Sequence, residues 1–160
     1  MKQKELLIDE NLIYLKEYKD VKIGECIFAY KRPCIVEGHS INTRHGVNRF
    51  NVKDFCTKKD DFHSIAHISQ RSQDYEDVRC LYVADIITTE YLLMSFEDEW
   101  ISVIDLKTNE LKENVIVNVE GQEYKNNLKL AQSLLNDGKE VIITIQSAAG
   151  VNIITHVVGN

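Results

Sequence analysis

The feature that most constrains this chain is a succession of ten short segments with the residue pattern of β-strands. Each is rich in Val, Ile, Tyr and Phe, and short polar stretches separate one from the next. Ten such strands predict an all-β fold built from small barrels or sandwiches. The segments are residues 21–30, 33–37, 47–53, 62–68, 79–87, 90–96, 100–106, 114–119, 140–148 and 151–158.

One segment departs from this pattern and predicts a helix over residues 122–136. Asp137 and Gly138 follow it as a stop signal, because glycine favours the left-handed conformation that ends many helices. Residues 4–18 fit either a second helix or a strand, and both alternatives stay open. The apolar face of the predicted helix consists of Tyr124, Leu128, Ala131, Leu134 and Leu135.

The polar run at residues 69–77 marks the expected boundary between two domains. It contains no periodic apolar set, and the charge balance changes sign there. We therefore expect an N-terminal extension over residues 1–20, a basic five-strand domain over residues 21–73 and a second domain over residues 74–160. Five strands with a helix before the fourth are the inventory of an OB-fold, a barrel that often binds oligonucleotides.

The net charge of −6 conceals an uneven distribution of charged residues. Residues 1–73 carry 13 Lys or Arg and 10 Asp or Glu, whereas residues 74–160 carry 6 and 15. Between residues 31 and 59, seven cations face only Glu37 and Asp54. Such a basic region is typical of nucleic-acid binding, although a solvated face without a partner has the same composition. The seven are Lys31, Arg32, Arg44, Arg49, Lys53, Lys58 and Lys59.

No residue pattern indicates a metal site or a catalytic centre. The cysteines form no C-x-x-C pair, and we expect them to be buried free thiols. His63 and His67 lie on one face of a predicted strand without carboxylate partners. The chain lacks G-x-S-x-G, H-E-x-x-H, a phosphate-binding loop and G-x-G-x-x-G, so we expect neither an enzyme nor a cofactor. The cysteines are Cys26, Cys34, Cys56 and Cys80.

The aromatic and acidic residues of the second half are expected to have structural roles, and we do not expect them to bind a ligand. Tyr91 and Trp100 are expected in the core of the second barrel, because aromatic side chains bury large apolar areas. The acidic run at residues 97–99 is expected to be a solvated turn. No apolar run approaches the about 20 residues that cross a bilayer, so we expect a soluble cytoplasmic protein without a membrane partner.

The polar segment GHSINTRHG at residues 38–46 is expected to project as a loop, since glycine stands at both ends. Arg44 and His45 at its tip, and Arg49 on the returning strand, offer hydrogen-bond donors that are unsuited to an apolar core. Guanidinium groups bind phosphates and stack on bases. RNA is therefore the expected partner of this loop.

These residues resemble the N-terminal domain of the translation factor 5A family, the hypusine-containing factors related to bacterial elongation factor P. The family patterns R-P-C-K-I-V-E, T-G-K-H-G and F-T-G-K-K correspond to RPCIVE at 32–37, TRHG at 43–46 and FCTKK at 55–59. GKEVIITIQSA at 138–148 is similar to the family's G-E-E-I-L-I-T-V-L-S-A, which also follows a helix. The resemblance covers residues 21–158 and implies an SH3-like barrel followed by an OB-fold.

Arg44 stands where the family carries the lysine that is converted to hypusine. No lysine occurs from residue 32 to residue 52, so this loop has no amine for that modification. Arginine stays protonated and does not replace an amine nucleophile. We therefore expect no hypusine-modifying enzyme as a partner, while another modification of Arg44 stays open.

The resemblance implies binding at the exit and peptidyl tRNA sites of the ribosome, with the loop directed at the peptidyl-transferase centre. The implied partners are large-subunit ribosomal RNA, the acceptor end of the tRNA and ribosomal proteins near the exit site. The residues expected at the loop tip are Thr43, Arg44, His45 and Gly46. The residues expected to contact RNA are Lys31, Arg32, His39, Arg49, Lys53, Lys58 and Lys59.

Three functions remain as alternatives from the sequence. The first is a factor without hypusine that occupies the tRNA sites and restrains translation, as a dormancy or hibernation factor would. The second is an active elongation factor in which Arg44 assists peptidyl transfer, which the surrounding Thr43, His45 and Gly46 favour. The third is a free OB-fold module that binds single-stranded RNA, against which the acidic second half argues.

Overall fold

A computed structural model describes residues 6–29, 31–42, 47–59, 65–69 and 80–160. The chain divides into two compact units, Met1–Ile86 and Ile87–Asn160. No helix among the described residues is long and apolar enough to span a membrane.

The first unit is built around a six-stranded antiparallel sheet with the strand order β1-β6-β2-β3-β4-β5. Two 3₁₀ turns, at Glu10–Leu12 and Tyr18–Asp20, flank its first strand. The strands are β1 (Ile13–Glu17), β2 (Cys26–Ala29), β3 (Arg32–Asn42), β4 (Val47–Asp54), β5 (Ile65–Ser69) and β6 (Cys80–Ala84).

Residues 13–17 belong to this sheet, which differs from the separate extension expected over residues 1–20. Strand β1 pairs with β6 over its whole length, from Ile13 opposite Ala84 to Glu17 opposite Cys80. The Tyr14 hydroxyl donates to Asp85 Oδ1 at 2.7 Å, which adds a side-chain link beside the ladder. Because β6 completes the first sheet, the structure divides the chain after Ile86 and not after residue 73.

The core of the first unit lies on one face of its central strands. In the described part of β4, Phe50 and Val52 are buried and Asn51 between them is exposed, which is the period expected of a strand with one covered face. The fully buried aromatic ring of this cluster is Phe50, which no solvent reaches. The cluster comprises Val21, Ile27, Ala29, Cys34, Val36, Phe50, Val52, Leu81 and Val83.

The second unit is a five-stranded antiparallel sheet with the order β11-β10-β7-β8-β9 and one helix between its third and fourth strands. Asn118 N donates to Asn152 O at 2.7 Å, and Asn152 Nδ2 donates to Ile116 O at 3.0 Å. These bonds link the C-terminal end of β9 to the start of β11, the two edge strands, as expected of a partly open barrel. Its strands are β7 (Ile86–Glu97), β8 (Trp100–Asp105), β9 (Leu111–Ile116), β10 (Val141–Ala148) and β11 (Val151–Gly159).

The predicted helix is confirmed as α1 (Gln122–Asn136). Tyr124, Leu128 and Ala131 are buried on one face, because they recur at helical spacing. Gly138 has φ of 78° and donates from its amide to Leu135 O at 3.0 Å. A residue with a side chain is strained in that conformation, so glycine ends the helix here.

Two of the predicted strands contain residues that are not part of a strand in the structure. The strand expected at residues 21–30 is reduced to β2, since residues 22–25 form a turn in which Glu25 N donates to Lys22 O at 3.1 Å. The strand expected at residues 79–87 is divided at Asp85 into the end of β6 and the start of β7.

The cysteines are free thiols, as expected; Cys26, Cys34 and Cys56 are buried and Cys80 is partly exposed. Burial raises the pKa of Cys26 and of Cys34 to about 12. The thiolate is the nucleophile in alkylation, and a pKa near 12 leaves about a thousandfold less of it than an ordinary thiol holds.

Iodoacetamide should therefore label the folded protein at Cys80 and leave Cys26 and Cys34 unmodified. Mass spectrometry of the digested protein measures the labelled fraction at each position. The same protein labelled in guanidinium provides the control, in which all positions should react. Equal rates for Cys26 and Cys80 in the native protein would contradict the burial of Cys26.

Candidate functional site

The candidate site is the hairpin formed by β3 and β4. The two strands pair from Cys34 opposite Asp54 to Asn42 opposite Val47, with a bulge between Val36 and Gly38. Residues 38–42, which we expected to begin a loop, thus belong to β3. The expected tip residues Thr43, Arg44, His45 and Gly46 join the two strands and lie outside the described residues.

Arg32 at the start of β3 forms a buried ion pair with Asp54 at the end of β4. The guanidinium donates from Nε to Oδ2 at 2.6 Å and from Nη2 to Oδ1 at 3.3 Å. Arg32 is 7% exposed and Asp54 8% exposed. Arg32 was expected to contact RNA, but the structure turns its charge inward, where it holds the ends of the two strands together.

Asp54 also organises the turn that follows β4. Its Oδ1 accepts from Cys56 N at 2.8 Å and from Thr57 N at 3.1 Å, and its carbonyl accepts from Lys58 N at 2.8 Å. Thr57 Oγ1 accepts from Lys59 N at 3.3 Å. One carboxylate therefore satisfies two backbone donors and one buried cation.

The second unit contains the same turn without an arginine. Asp105 Oδ1 accepts from Lys107 N at 2.8 Å and from Thr108 N at 3.2 Å, and its carbonyl accepts from Asn109 N at 2.7 Å. Asn109 has φ of 60°, close to the 58° of Lys58 at the equivalent position. The two turns share their hydrogen bonds and differ in the ion pair, so each is a control for the other.

Lys58 packs on the protein instead of extending into solvent. Its Nζ lies 4.3 Å from the centre of the Phe55 ring. Burial, reinforced by the charge of Lys53, lowers its pKa from the usual range of lysine. This ammonium is therefore less available for phosphate than the sequence indicated.

The remaining expected RNA-contacting lysines have different surroundings. Lys53 forms an ion pair with Glu37 at 3.6 Å and is half-buried. Lys31, with φ of 62°, and Lys59 are exposed. Arg49 occupies the position of β4 that pairs with Ser40 on one side and His67 on the other.

His39 is packed into the hairpin, although we expected it in a loop. Its ring stacks on Phe50, with 4.0 Å between ring centres and an interplanar angle of 12°. The Tyr18 ring approaches it edge-on at 6.4 Å. Its Nε2 atom is buried and has no hydrogen-bond partner among the described residues. His39 therefore contributes to packing at the base of the candidate loop.

No metal centre is evident in the described part of the chain, where His, Cys, Asp and Glu side chains form no group of three or more suited to an ion. His63 lies outside the described residues. Tyr91 is 9% exposed and belongs to the core as expected, but the expectation that Trp100 lies in the core is wrong, since it is 46% exposed. The alternation of side chains along β8 indicates this position, because Ile101 and Val103 are buried and Trp100 lies on the opposite face.

Comparison with solved structures finds two-domain translation factors. An eIF-5A family translation initiation factor from Naegleria fowleri matches with a TM-score of 0.65 and 17% identity, over 91% of this chain and 97% of that chain. The eukaryotic translation initiation factor 5A from Methanococcus jannaschii matches with a TM-score of 0.54 and 18% identity, over 96% and 100%.

These structural likenesses extend over both units. The expected fold, an SH3-like barrel followed by an OB-fold with one inserted helix, is therefore confirmed. No protein-family model matches the chain. No curated protein matches it either.

Proposed function

We propose that this chain is a ribosome-binding translation factor of the 5A type that acts without hypusine. The observation that carries the proposal is the joint likeness of both units, in the same order, to factors described as translation initiation factors 5A. The motif RPCIVE supports it, because it opens the strand β3 that leads to the candidate loop. We propose a binding role in the cytoplasm, with no enzymatic activity and no cofactor.

The proposed contact with the ribosome runs through the first unit. Thr43, Arg44, His45 and Gly46 would face the peptidyl-transferase centre and the tRNA acceptor end, between the exit and peptidyl sites. Large-subunit ribosomal RNA and nearby ribosomal proteins complete the proposed partners. Binding to RNA phosphates is assigned to Lys31, Arg49, Lys53 and Lys59, because closely spaced cations suit a phosphate backbone.

We do not assign RNA contacts to three of the expected residues, because each already packs against another residue of the protein. Arg32 is buried against Asp54, His39 stacks on Phe50, and Lys58 lies over Phe55. Moving any of them to a phosphate would break a contact that the folded protein already has. We assign these three residues to the packing of the hairpin and the other cations to RNA.

The proposed effect of this protein is to restrain translation, as a dormancy or hibernation factor does. The planar guanidinium of Arg44 is shorter than a hypusine side chain and offers no amine to extend. A factor that retains the ribosomal site but lacks this extension would occupy the tRNA sites without promoting peptide-bond formation. The alternative, an elongation factor that works through Arg44, predicts a different distribution on ribosomes.

Sedimentation of cell extracts through sucrose gradients distinguishes these outputs. We expect the protein on idle monosomes, with more of it in dormant than in growing cells. Enrichment on translating polysomes would support the elongation alternative instead. A protein that stays at the top of the gradient in both states would contradict ribosome binding and favour the free RNA-binding module.

The same gradients, together with an assay of peptide-bond formation on isolated ribosomes, test the role assigned to Arg44. Arg44→Ala should reduce the effect on peptidyl transfer more than it reduces ribosome binding, because several phosphate contacts share the binding energy. Lys107→Ala, an exposed lysine of the second unit, is the control and should change neither. Equal losses of binding and of effect in Arg44→Ala would contradict this division of roles.

A further inference from the structure

A groove of about 550 Å³ lies within the second unit, against strands β7, β8 and β9. Ser95 pairs with Ser102 and Glu97 pairs with Trp100, and directly opposed residues share a face of the sheet. Phe96 pairs with Ile101, which is buried in the core, so the four groove residues stand on the outer face. The groove is lined by Ser95, Phe96, Glu97, Asp98, Trp100, Ile101, Ser102 and Asn114.

The rim of the groove is held in a defined conformation. The carbonyl of Asp98 accepts from Gln132 Nε2 of helix α1 at 3.0 Å. The carbonyl of Glu99 accepts from Val117 N at 3.0 Å. Asn114, with φ of 56°, lies at the irregularity in the β8–β9 ladder. Because both carbonyls are bonded, the backbone of the turn is fixed, which lowers the entropic cost of ordering it around a ligand.

The charge of the groove is negative and is not neutralised locally. Glu97 and Asp98 are exposed, and neither carboxylate has an ion-pair partner among the described residues. Residues 87–160 hold eleven Asp or Glu, five Lys and no Arg, so this unit carries the whole net charge of −6. Phosphate groups would be repelled from such a surface.

The groove lies where OB-folds usually bind their ligands. In OB-folds the face of the second and third strands, with the loop between the first and second, is the usual place for an oligomeric ligand. Here those elements are β8, β9 and the Asp98 turn. The groove occupies this position, but its charge is opposite to the one that nucleic acid requires.

We propose that this groove binds an arginine-bearing, extended segment of a partner protein. The indole face of Trp100, 46% exposed, suits stacking of a guanidinium. The carboxylate of Glu97, its cross-strand neighbour, suits the bidentate hydrogen bonds that guanidinium donates. Asp98 at the rim attracts further basic residues of the segment. The inference does not depend on the proposed ribosomal function.

Trp100 is the only tryptophan in the chain, so its fluorescence reports on the groove directly. Titration of the full chain with a short peptide of alternating Arg and Gly should change the Trp100 emission to saturation. Anisotropy of the labelled peptide measures the affinity in variants that lack the indole. Single-stranded oligouridylate is the competing probe, and it should bind more weakly than the peptide.

Glu97→Gln combined with Asp98→Asn should weaken peptide binding about tenfold, because charge-assisted hydrogen bonds are lost. Trp100→Ala should weaken it about threefold, as expected for an exposed cation–π contact. Glu110→Gln combined with Glu140→Gln removes the same charge from exposed positions outside the groove and should have little effect.

Three results would overturn the proposal. The first is an unchanged Trp100 emission at saturating peptide. The second is an equal loss of affinity in the Glu110 and Glu140 variant, which would indicate attraction to the acidic unit in general. The third is tighter binding of oligouridylate than of the peptide, which would assign the groove to RNA.

Discussion

Asp54→Ala should lower the free energy of unfolding of the first unit by about 3–5 kcal/mol, the range for removing one member of a buried ion pair. The variant leaves the Arg32 guanidinium, 7% exposed, without its carboxylate. It also removes the acceptor for Cys56 N and Thr57 N. Denaturant-dependent hydrogen exchange, followed by mass spectrometry on peptides from each unit, measures the loss where it occurs.

Asp105→Ala is the matched control for this prediction. It removes the carboxylate that accepts hydrogen bonds from Lys107 N and Thr108 N in the second unit. No buried arginine is left without a partner in this variant. Its expected cost is about 1–2 kcal/mol, which is typical of lost capping bonds. Similar costs for the two variants would mean that the ion pair with Arg32 adds nothing. Adding Arg32→Met to Asp54→Ala should recover part of the loss, since no charge then stays buried.

Phe50→Ala should destabilise the first unit by about 3–5 kcal/mol, as large-to-small changes of a buried aromatic residue do. Its side chain is fully buried and joins the core cluster beside Val36 and Val52. The variant also removes the ring on which His39 stacks at 4.0 Å. The amides of β3 and β4 should therefore exchange faster than those of the second unit.

Asn51→Ala is the control for Phe50→Ala, because Asn51 is the next residue along β4 and is exposed. An exposed polar residue of this kind should change stability by no more than about 0.5 kcal/mol. If Phe50→Ala cost as little as Asn51→Ala, the core assigned to the first unit would be incorrect. Thermal unfolding monitored by circular dichroism provides a second measurement on the same proteins.

The sequence by itself determined the class of fold and the most regular elements. Helix α1 begins and ends where the spacing of Tyr124, Leu128 and Ala131 and the stop at Gly138 predict. Strands β10 and β11 agree with their patterns to within about one residue, a difference smaller than the usual uncertainty of boundaries. These features depend on residues that are close in the chain, where side-chain periodicity is set by local backbone geometry. The burial of Cys26, Cys34 and Cys56 followed from composition in the same way.

The tertiary structure decided which residues meet across long separations. The place of residues 13–17 in the first sheet depends on β6, almost seventy residues later, and this pairing set the boundary of the unit. The partner of Arg32 is Asp54, at the far end of the β3–β4 hairpin sequence, and no local pattern indicates this contact. Trp100 faces outward because the opposite face of β8, with Ile101 and Val103, packs in the core of the second unit. The local sequence pattern specifies which residues share a face of a strand. Only the packing of distant strands determines what that face contacts, and the function of a surface depends on those contacts.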